Sequence, residues 1–269
     1  MRRLLIRPGG IGDCILSFPA LEFLKAEYTE IWVPSDIVPL IRFADVVRPI
    51  SSVGLDLMGL PGISPPRPLL ENLRSFDSIV SWYGSNRDEF RSQTQQLGLP
   101  FRFLSALPAA GERIHAADFF LSQAGGEGLP IPRIECPRAI SGGYAVIHPF
   151  SGSSRKNWPL EQFHALAEKL PFPVQWSAGP QEQLDIAVRF DNLYELARWL
   201  ATARLYIGND SGITHLAAAV GVPLVAIFGP TDPVIWAPRG KNVTVVAGEM
   251  TRITVDQVLE AATACLREP

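Results

Sequence analysis

The sequence is short of several things, and each shortage removes a class of protein. It has three cysteines in 269 residues, Cys14, Cys136 and Cys265, far apart and without a CxxC pair. A disulfide framework or a zinc site needs paired or clustered thiols, so neither fits, and a reducing, cytoplasmic setting does. No apolar run approaches the ~18 residues that a membrane-spanning helix takes. The opening Leu4-Leu5-Ile6 is cut off by Arg7 and Pro8, too soon for a signal-peptide core. No cluster of lysine and arginine stands out and the net charge is −3, so nucleic acid is not an expected partner. The first glycine cluster also lacks the spacing of the dinucleotide fingerprint. It reads Arg7-Pro8-Gly9-Gly10-Ile11-Gly12-Asp13 and ends in a carboxylate, which leaves open whether the loop grips a phosphate or presents Asp13.

What is present points to a two-domain α/β protein. Apolar residues make up 47% of the chain, enough for two packed cores of roughly 100–150 residues each. The 24 prolines and 22 glycines are dispersed between apolar runs and mark frequent turns rather than low complexity. Apolar strands are expected at Arg3–Arg7, Glu30–Pro34, Val46–Ile50, Asp77–Trp82 and Phe101–Leu104. A helix is expected over Ile11–Glu27, from Ile11, Ile15, Phe18, Leu21 and Leu24, and a short one over Asp36–Phe43. Ser51–Pro68, rich in Gly, Pro and Ser, is expected to be a loop that either covers a site or is plain surface. Ala124–Gly143 is the best linker. Beyond it strands are expected at Tyr144–His148, Val174–Ala178, Leu205–Gly208, Pro223–Phe228 and Asn242–Val246. Helices are expected at Pro159–Leu170, Asn192–Thr202, Ser211–Val220 and Val255–Leu266. This alternation implies parallel sheets covered by helices on both faces: a domain over 1–135 and a second over 143–269, both Rossmann-like, with the last helix free to pack back on the first.

The second half carries the chemistry. In Tyr206–Pro233 a strand runs into Asn209-Asp210, which make a turn, and then into Ser211-Gly212-Ile213-Thr214-His215. Asp210 or Ser211 caps the helix that follows. Its unpaired N–H groups and positive dipole end suit a diphosphate, Gly212 lets a ligand near the backbone, and His215 is placed to donate to a phosphate oxygen. An ordinary tight turn is the plainer alternative, but a second polar loop, Phe228–Pro233, lies at the neighbouring strand end. The loop His148–Pro159 offers Ser151, Gly152, Ser153 and Ser154, with Lys156 as counter-ion or surface lysine. Trp158-Pro159 opens the next helix and packs beneath the loop. Glu182 either reaches a ribose hydroxyl or is a solvated first-turn glutamate.

Three segments together resemble glycosyltransferase family 9, the ADP-heptose:lipopolysaccharide heptosyltransferases and their relatives: RPGGIGDCILSFPAL, HPFSGSSRKNWPLEQF and GNDSGITHLAAAVGVPLVAIFGPTDPVIWAP. The resemblance spans essentially the whole chain. It implies a GT-B fold, two Rossmann-like domains facing across a central cleft, with the donor on the second domain and the acceptor on the first. It implies an inverting, metal-independent transfer of a sugar, heptose, from an ADP-sugar or other NDP-sugar to a cell-envelope glycan such as lipopolysaccharide core. No resident cofactor is implied; the partners are the nucleotide-sugar and a glycan or glycolipid acceptor met at the inner face of the cytoplasmic membrane. By position, Asp13 matches the base, and Lys156 the phosphate-binding lysine. Asp210, Ser211, Gly212, Ile213 and His215 match the diphosphate turn. Ser151 and Gly152 match a hydroxyl pair more loosely. Gly9, Gly10 and Gly12 would form a side-chain-free turn that brings Asp13 to the cleft, although Asp13 as a mere helix cap is the alternative. A non-catalytic nucleotide-sugar binder and another GT-B enzyme, such as an epimerase, are the competing readings.

Overall fold

The computed structural model describes residues 1–109, 111–137 and 142–267. The expected linker therefore falls in part outside the described residues. The first sheet has five parallel strands, β1 (Arg2–Ile6), β2 (Tyr28–Val33), β3 (Val46–Pro49), β4 (Ser78–Ser81) and β5 (Phe101–Phe103), in the order β3-β2-β1-β4-β5. Its central strand is the apolar run at the start of the chain: Leu4, Leu5 and Ile6 are fully buried, as a strand covered on both faces requires. The helices of this half are α1 (Ile11–Leu16), α2 (Phe18–Phe23), α3 (Arg67–Arg74), α4 (Asp88–Gln96) and α5 (Ala116–Ala124).

Three local expectations differ. The short helix expected over Asp36–Phe43 is a 3-10 helix over Ser35–Leu40 with Pro39 inside it. The single helix over Ile11–Glu27 is broken into α1 and α2, because Pro19 stands in the first turn of α2 and cannot donate to the preceding turn. The stretch Ser51–Pro68 is more than plain surface. It forms two short 3-10 turns, Ile50–Ser52 and Leu55–Leu57, and Leu55 and Met58 are buried in the same core as Leu4, Trp32 and Phe90. Arg87 donates to the Met58 carbonyl and Gln93 accepts from Gly59 N–H, so the segment is tied to the start of α4.

The second sheet is also five-stranded and parallel: β6 (Ala145–His148), β7 (Val174–Trp176), β8 (Leu205–Asn209), β9 (Leu224–Phe228) and β10 (Val243–Ala247), in the order β10-β9-β8-β6-β7. Its helices are α6 (Leu160–Lys169), α7 (Leu193–Leu200), α8 (Gly212–Ala219), a short α9 (Pro233–Trp236) that the sequence pattern does not reveal, and α10 (Val255–Cys265). The core under α6 and α10 gathers Ile147, Trp158, Phe163, Leu166, Ile207 and Val258. The last helix packs on α6 and beside β9 and β10, opened by a capping box between Thr254 and Gln257. Among the described residues no helix is long and apolar enough to cross a membrane.

The domain boundary expected at 135 differs from the way contacts divide the chain. One unit is Met1–Gly10, Ser17–Glu112 and Ala117–Pro130. The other is Ile11–Leu16, Arg113–Ala116 and everything from Ile131. The physical reason is that α1 packs on α8, so a helix from the first 16 residues belongs to the second sheet's unit.

Candidate active site

The second unit places the expected donor residues around the N-terminus of α8. β8 is buried along its whole length and delivers Asn209, the last residue of the strand rather than part of the turn. Asp210 extends the ladder by donating its N–H to Ile227 O at 2.9 Å. Ser211, not Asp210, is the N-cap: its extended backbone and its hydroxyl, which accepts from Thr214 N–H at 3.3 Å, open α8. Thr214 then binds inward, its hydroxyl donating to the Asn209 carbonyl and lying 3.1 Å from both Tyr206 OH and Ser211 Oγ. Burial pushes the Tyr206 phenol well above its ordinary value, so it stays protonated within this group.

Lys156 comes from the loop after β6. A 3-10 turn over Ser154–Lys156 carries it to Asp210, where Nζ donates to Oδ2 at 2.7 Å. Asp210 is almost wholly buried while Lys156 keeps a third of its side chain exposed. A carboxylate alone at this turn would repel a diphosphate. Paired with Lys156 it instead holds an ammonium whose other two N–H groups remain for a ligand.

The same loop uses its serines on itself. Ser151 Oγ lies 2.8 Å from Ser153 O and 2.7 Å from Asn157 Oδ1, and accepts more weakly from Ser153 N. Its one proton is thus committed to the loop. Gly152 is exposed with open space around the position of a side chain, so nothing in the fold demands a glycine there. Glu182 is partly exposed and anchored on one side: its carboxylate accepts from Gly179 N–H and lies 3.8 Å from His148 Nε2.

Asp13 reaches this group through α1. A Cβ on Gly12 would lie 2.8 Å from His215 Cδ2, and one on Gly212 would lie 2.6 Å from Ile11 Cβ and 3.3 Å from Gly12 N. The two helices therefore meet through their glycines, at a separation that side chains would forbid. Gly212 thus makes room for α1, and Gly12, which lies inside α1 rather than in the turn before it, makes room for the His215 ring. Of the other two glycines, Gly9 and Gly10 are exposed, and Gly9 has φ +125°, a backbone that other residues rarely adopt. Ile213, in the first turn of α8, is partly exposed.

His215 is buried against this junction and its Nδ1 has no hydrogen-bond partner among the described residues. Burial lowers its pKa to about 4; the charges of Asp210 and Asp13 pull it up, and His115 and Lys156 push it down. The imidazole is therefore neutral near pH 7, and any part it takes in holding a phosphate is that of a neutral hydrogen-bonding group, not of a cation.

Several residues of the site escaped sequence reading. His148, at the end of β6, is buried and gives Nδ1–H to Ser177 at 3.0 Å. Desolvation pushes its pKa below the ordinary range, against the opposing pull of Glu182 and the Ser177 carbonyl. A histidine closing an apolar strand was the available signal. Residues 113–116 left none: Arg113 pairs with Asp232, the N-cap of α9, at 2.9 Å, and His115 Nε2 donates to Ala237 O at 2.9 Å.

Comparison with known proteins bears on this geometry. The model of glycosyltransferase family 9 (heptosyltransferase) matches residues 180–260. The lipopolysaccharide heptosyltransferase 1 of Salmonella typhimurium is 30% identical over 40% of this chain and 39% of that enzyme, so the match spans about two fifths of that relative's length. The lipooligosaccharide heptosyltransferase 2 of Haemophilus influenzae is 34% identical over 94% of this chain and 91% of the relative. The chain belongs to glycosyltransferase family 9. The solved E. coli heptosyltransferase WaaC with ADP superposes with a TM-score of 0.70 at 18% identity, covering 98% of this chain and 100% of that one. At that identity it shows the shared fold. The α8 turn and Glu182 fall within the segment that matches the family 9 model, whereas Asp13 and Lys156 lie outside it.

Proposed function

We propose that this family 9 protein is an inverting glycosyltransferase that moves a sugar, heptose, from an ADP-sugar to a cell-envelope glycan such as lipopolysaccharide core, without a metal ion. The observation that carries the reading is the α1–α8 junction, which gathers Asp13, His215 and the Lys156–Asp210 pair at one helix N-terminus. The names of its relatives, heptosyltransferases, and of a structural neighbour with ADP support the choice of donor.

In the reaction the acceptor hydroxyl attacks the anomeric carbon from the face opposite the diphosphate. Asp13 takes the hydroxyl proton as the new C–O bond forms. The bond from the anomeric carbon to the phosphate oxygen breaks, and its electron pair leaves with ADP. Lys156 and the N–H groups at Ser211–Ile213 meet the charge that develops on the leaving diphosphate. Asp210 holds Lys156 in place, and Glu182 takes the ribose side. Such an enzyme would work in the cytoplasm, against the inner face of the cytoplasmic membrane where a glycolipid acceptor is exposed.

The test is transfer from ADP-heptose to a truncated lipopolysaccharide acceptor, read by mass spectrometry, with ADP binding measured beside it. Wild type transfers one sugar. Asp13→Asn binds ADP as wild type does and transfers at least a hundredfold more slowly, on the scale of general-base catalysis, about 10²–10⁴-fold. An Asp13→Asn variant as active as wild type would remove Asp13 from the mechanism, and a wild type that binds ADP without transferring would leave a binding protein.

A further inference from the structure

Asn209 is completely buried at the end of β8, one residue before Asp210. Its side chain spans the two ends of the loop that carries Lys156. Nδ2 donates to Pro149 O at 2.7 Å, and Oδ1 accepts from Trp158 N–H at 2.9 Å. The partners fix the orientation of the amide, since a carbonyl only accepts and a backbone N–H only donates. The Asn209 carbonyl in turn receives the Thr214 hydroxyl from the first turn of α8. One residue thus ties together β8, the Lys156 loop and the start of α8.

We propose that Asn209 is a positioning residue for donor binding: it holds the 149–158 loop in the register that sets Lys156 against Asp210 and leaves its remaining N–H groups to the nucleoside diphosphate. Among the described residues, few other bonds fix the loop between Pro149 and Trp158 from outside besides the Lys156–Asp210 pair itself. Ser151, Ser153 and Asn157 bond to one another, which shapes the loop without attaching it. Trp158 anchors one end through Nε1–H to Ile253 O at 3.0 Å. The Pro149 end leaves β6, where His148 pairs with Gly208, and the Asn209 amide joins that end to the residue beside Asp210. The proposal rests on the reading of Lys156 as a diphosphate ligand.

The test is calorimetric ADP binding to the full chain in a double-mutant cycle of Asn209 and Lys156. Asn209→Ala is expected to weaken ADP about tenfold, and Lys156→Ala by tenfold or more. In the Lys156→Ala background Asn209→Ala should change the affinity less than twofold, because it acts through the missing lysine. Asn209→Asp keeps the shape and the acceptor for Trp158 N–H but loses the donor to Pro149 O. A protonated carboxyl restores that donor, so Asn209→Asp should bind weakly at pH 8 and recover toward wild type at pH 5.5, with no recovery when Lys156 is alanine. Equal losses from Asn209→Ala in both backgrounds, or a lowered melting temperature with unchanged ADP affinity, overturn the positioning role. If Lys156→Ala binds ADP like wild type, the donor-site reading is what has failed. The Lys156–Asp210 distance in a crystal structure of Asn209→Asp then decides the positioning claim by itself: a lysine still paired at its present place overturns it.

Discussion

His215 sits where a cation would be useful, yet burial keeps it neutral near pH 7. Its pKa is 6.5 when unfolded and about 4 when folded, so between those values the unfolded chain holds a proton that the folded chain does not. Stability is therefore fully present above about pH 6.5 and is lost as pH falls toward 4, by at most about 1.4 kcal/mol per pH unit for this one group. His148 is shifted in the same direction and adds to the decline. The expected result is a melting temperature that drops from pH 7 to pH 4.5 in wild type and drops less steeply in His215→Gln, whatever that variant's stability at pH 7. Parallel slopes would mean that His215 carries its proton in the fold. At this scale the sequence was readable for residue type and only partly for role. Lys156, Asp210 and Ser211 stand together because a strand end followed by a helix start constrains both sides of the turn. In the sequence the hydroxyl of Ser151 looks available, but a loop of consecutive polar residues satisfies itself first. The amide of Asn209 looks like turn chemistry in the sequence, because nothing in one segment reveals that both ends of a distant loop converge on it.

The contact between α1 and α8 is the element-scale feature that decides where Asp13 lies. Alanine favours a helix interior over glycine by up to about 1 kcal/mol, so a Gly→Ala change in either helix should stabilise if space allowed. It does not allow. At Gly212 the new Cβ would meet Ile11 Cβ and the Gly12 backbone nitrogen; at Gly12 its three nearest neighbours would all be atoms of the His215 ring. Overpacking of this kind costs about 1–3 kcal/mol. Gly212→Ala is expected to lower the melting temperature by several degrees and Gly12→Ala by less, since a ring can shift where backbone cannot. Gly152→Ala, with open space around it, should leave the melting temperature within a degree of wild type. Thermal unfolding of the three variants checks the order. A stabilised Gly212→Ala would mean the two helices stand farther apart than described. The sequence pattern placed most strands within a residue or two of where they lie, because buried parallel strands are unbroken apolar runs. It could not show why Gly212 is glycine. A glycine after a strand looks the same whether it admits a phosphate or a neighbouring helix, and the neighbour here begins about 200 residues earlier.

At the scale of the whole molecule the two parallel sheets follow from the alternation of apolar strand and amphipathic helix, and that much was legible. The chain's path between the two units was not. The second unit takes Ile11–Leu16 and Arg113–Ala116 out of the first half of the sequence, and both segments cover parts of the candidate site: α1 lies on α8, and Arg113 and His115 hold the α9 loop through Asp232 and Ala237. The exposed Arg113–Asp232 pair contributes little by itself; the packing of α1 is the larger loss when these segments are removed. A fragment beginning at Ile131 keeps all five strands of the second sheet yet uncovers the His215 ring beside Gly12 at the start of α8. The fragment should therefore melt well below the full chain, by more than the few degrees expected of a single overpacked glycine, and bind ADP more weakly even at temperatures where it is folded. Calorimetry and ADP titration of the fragment beside the full chain test this directly. A fragment equal to the full chain in both would show that α1 is an accessory to the second sheet. One that is equal in stability but weaker for ADP would confine the contribution of α1 to the site.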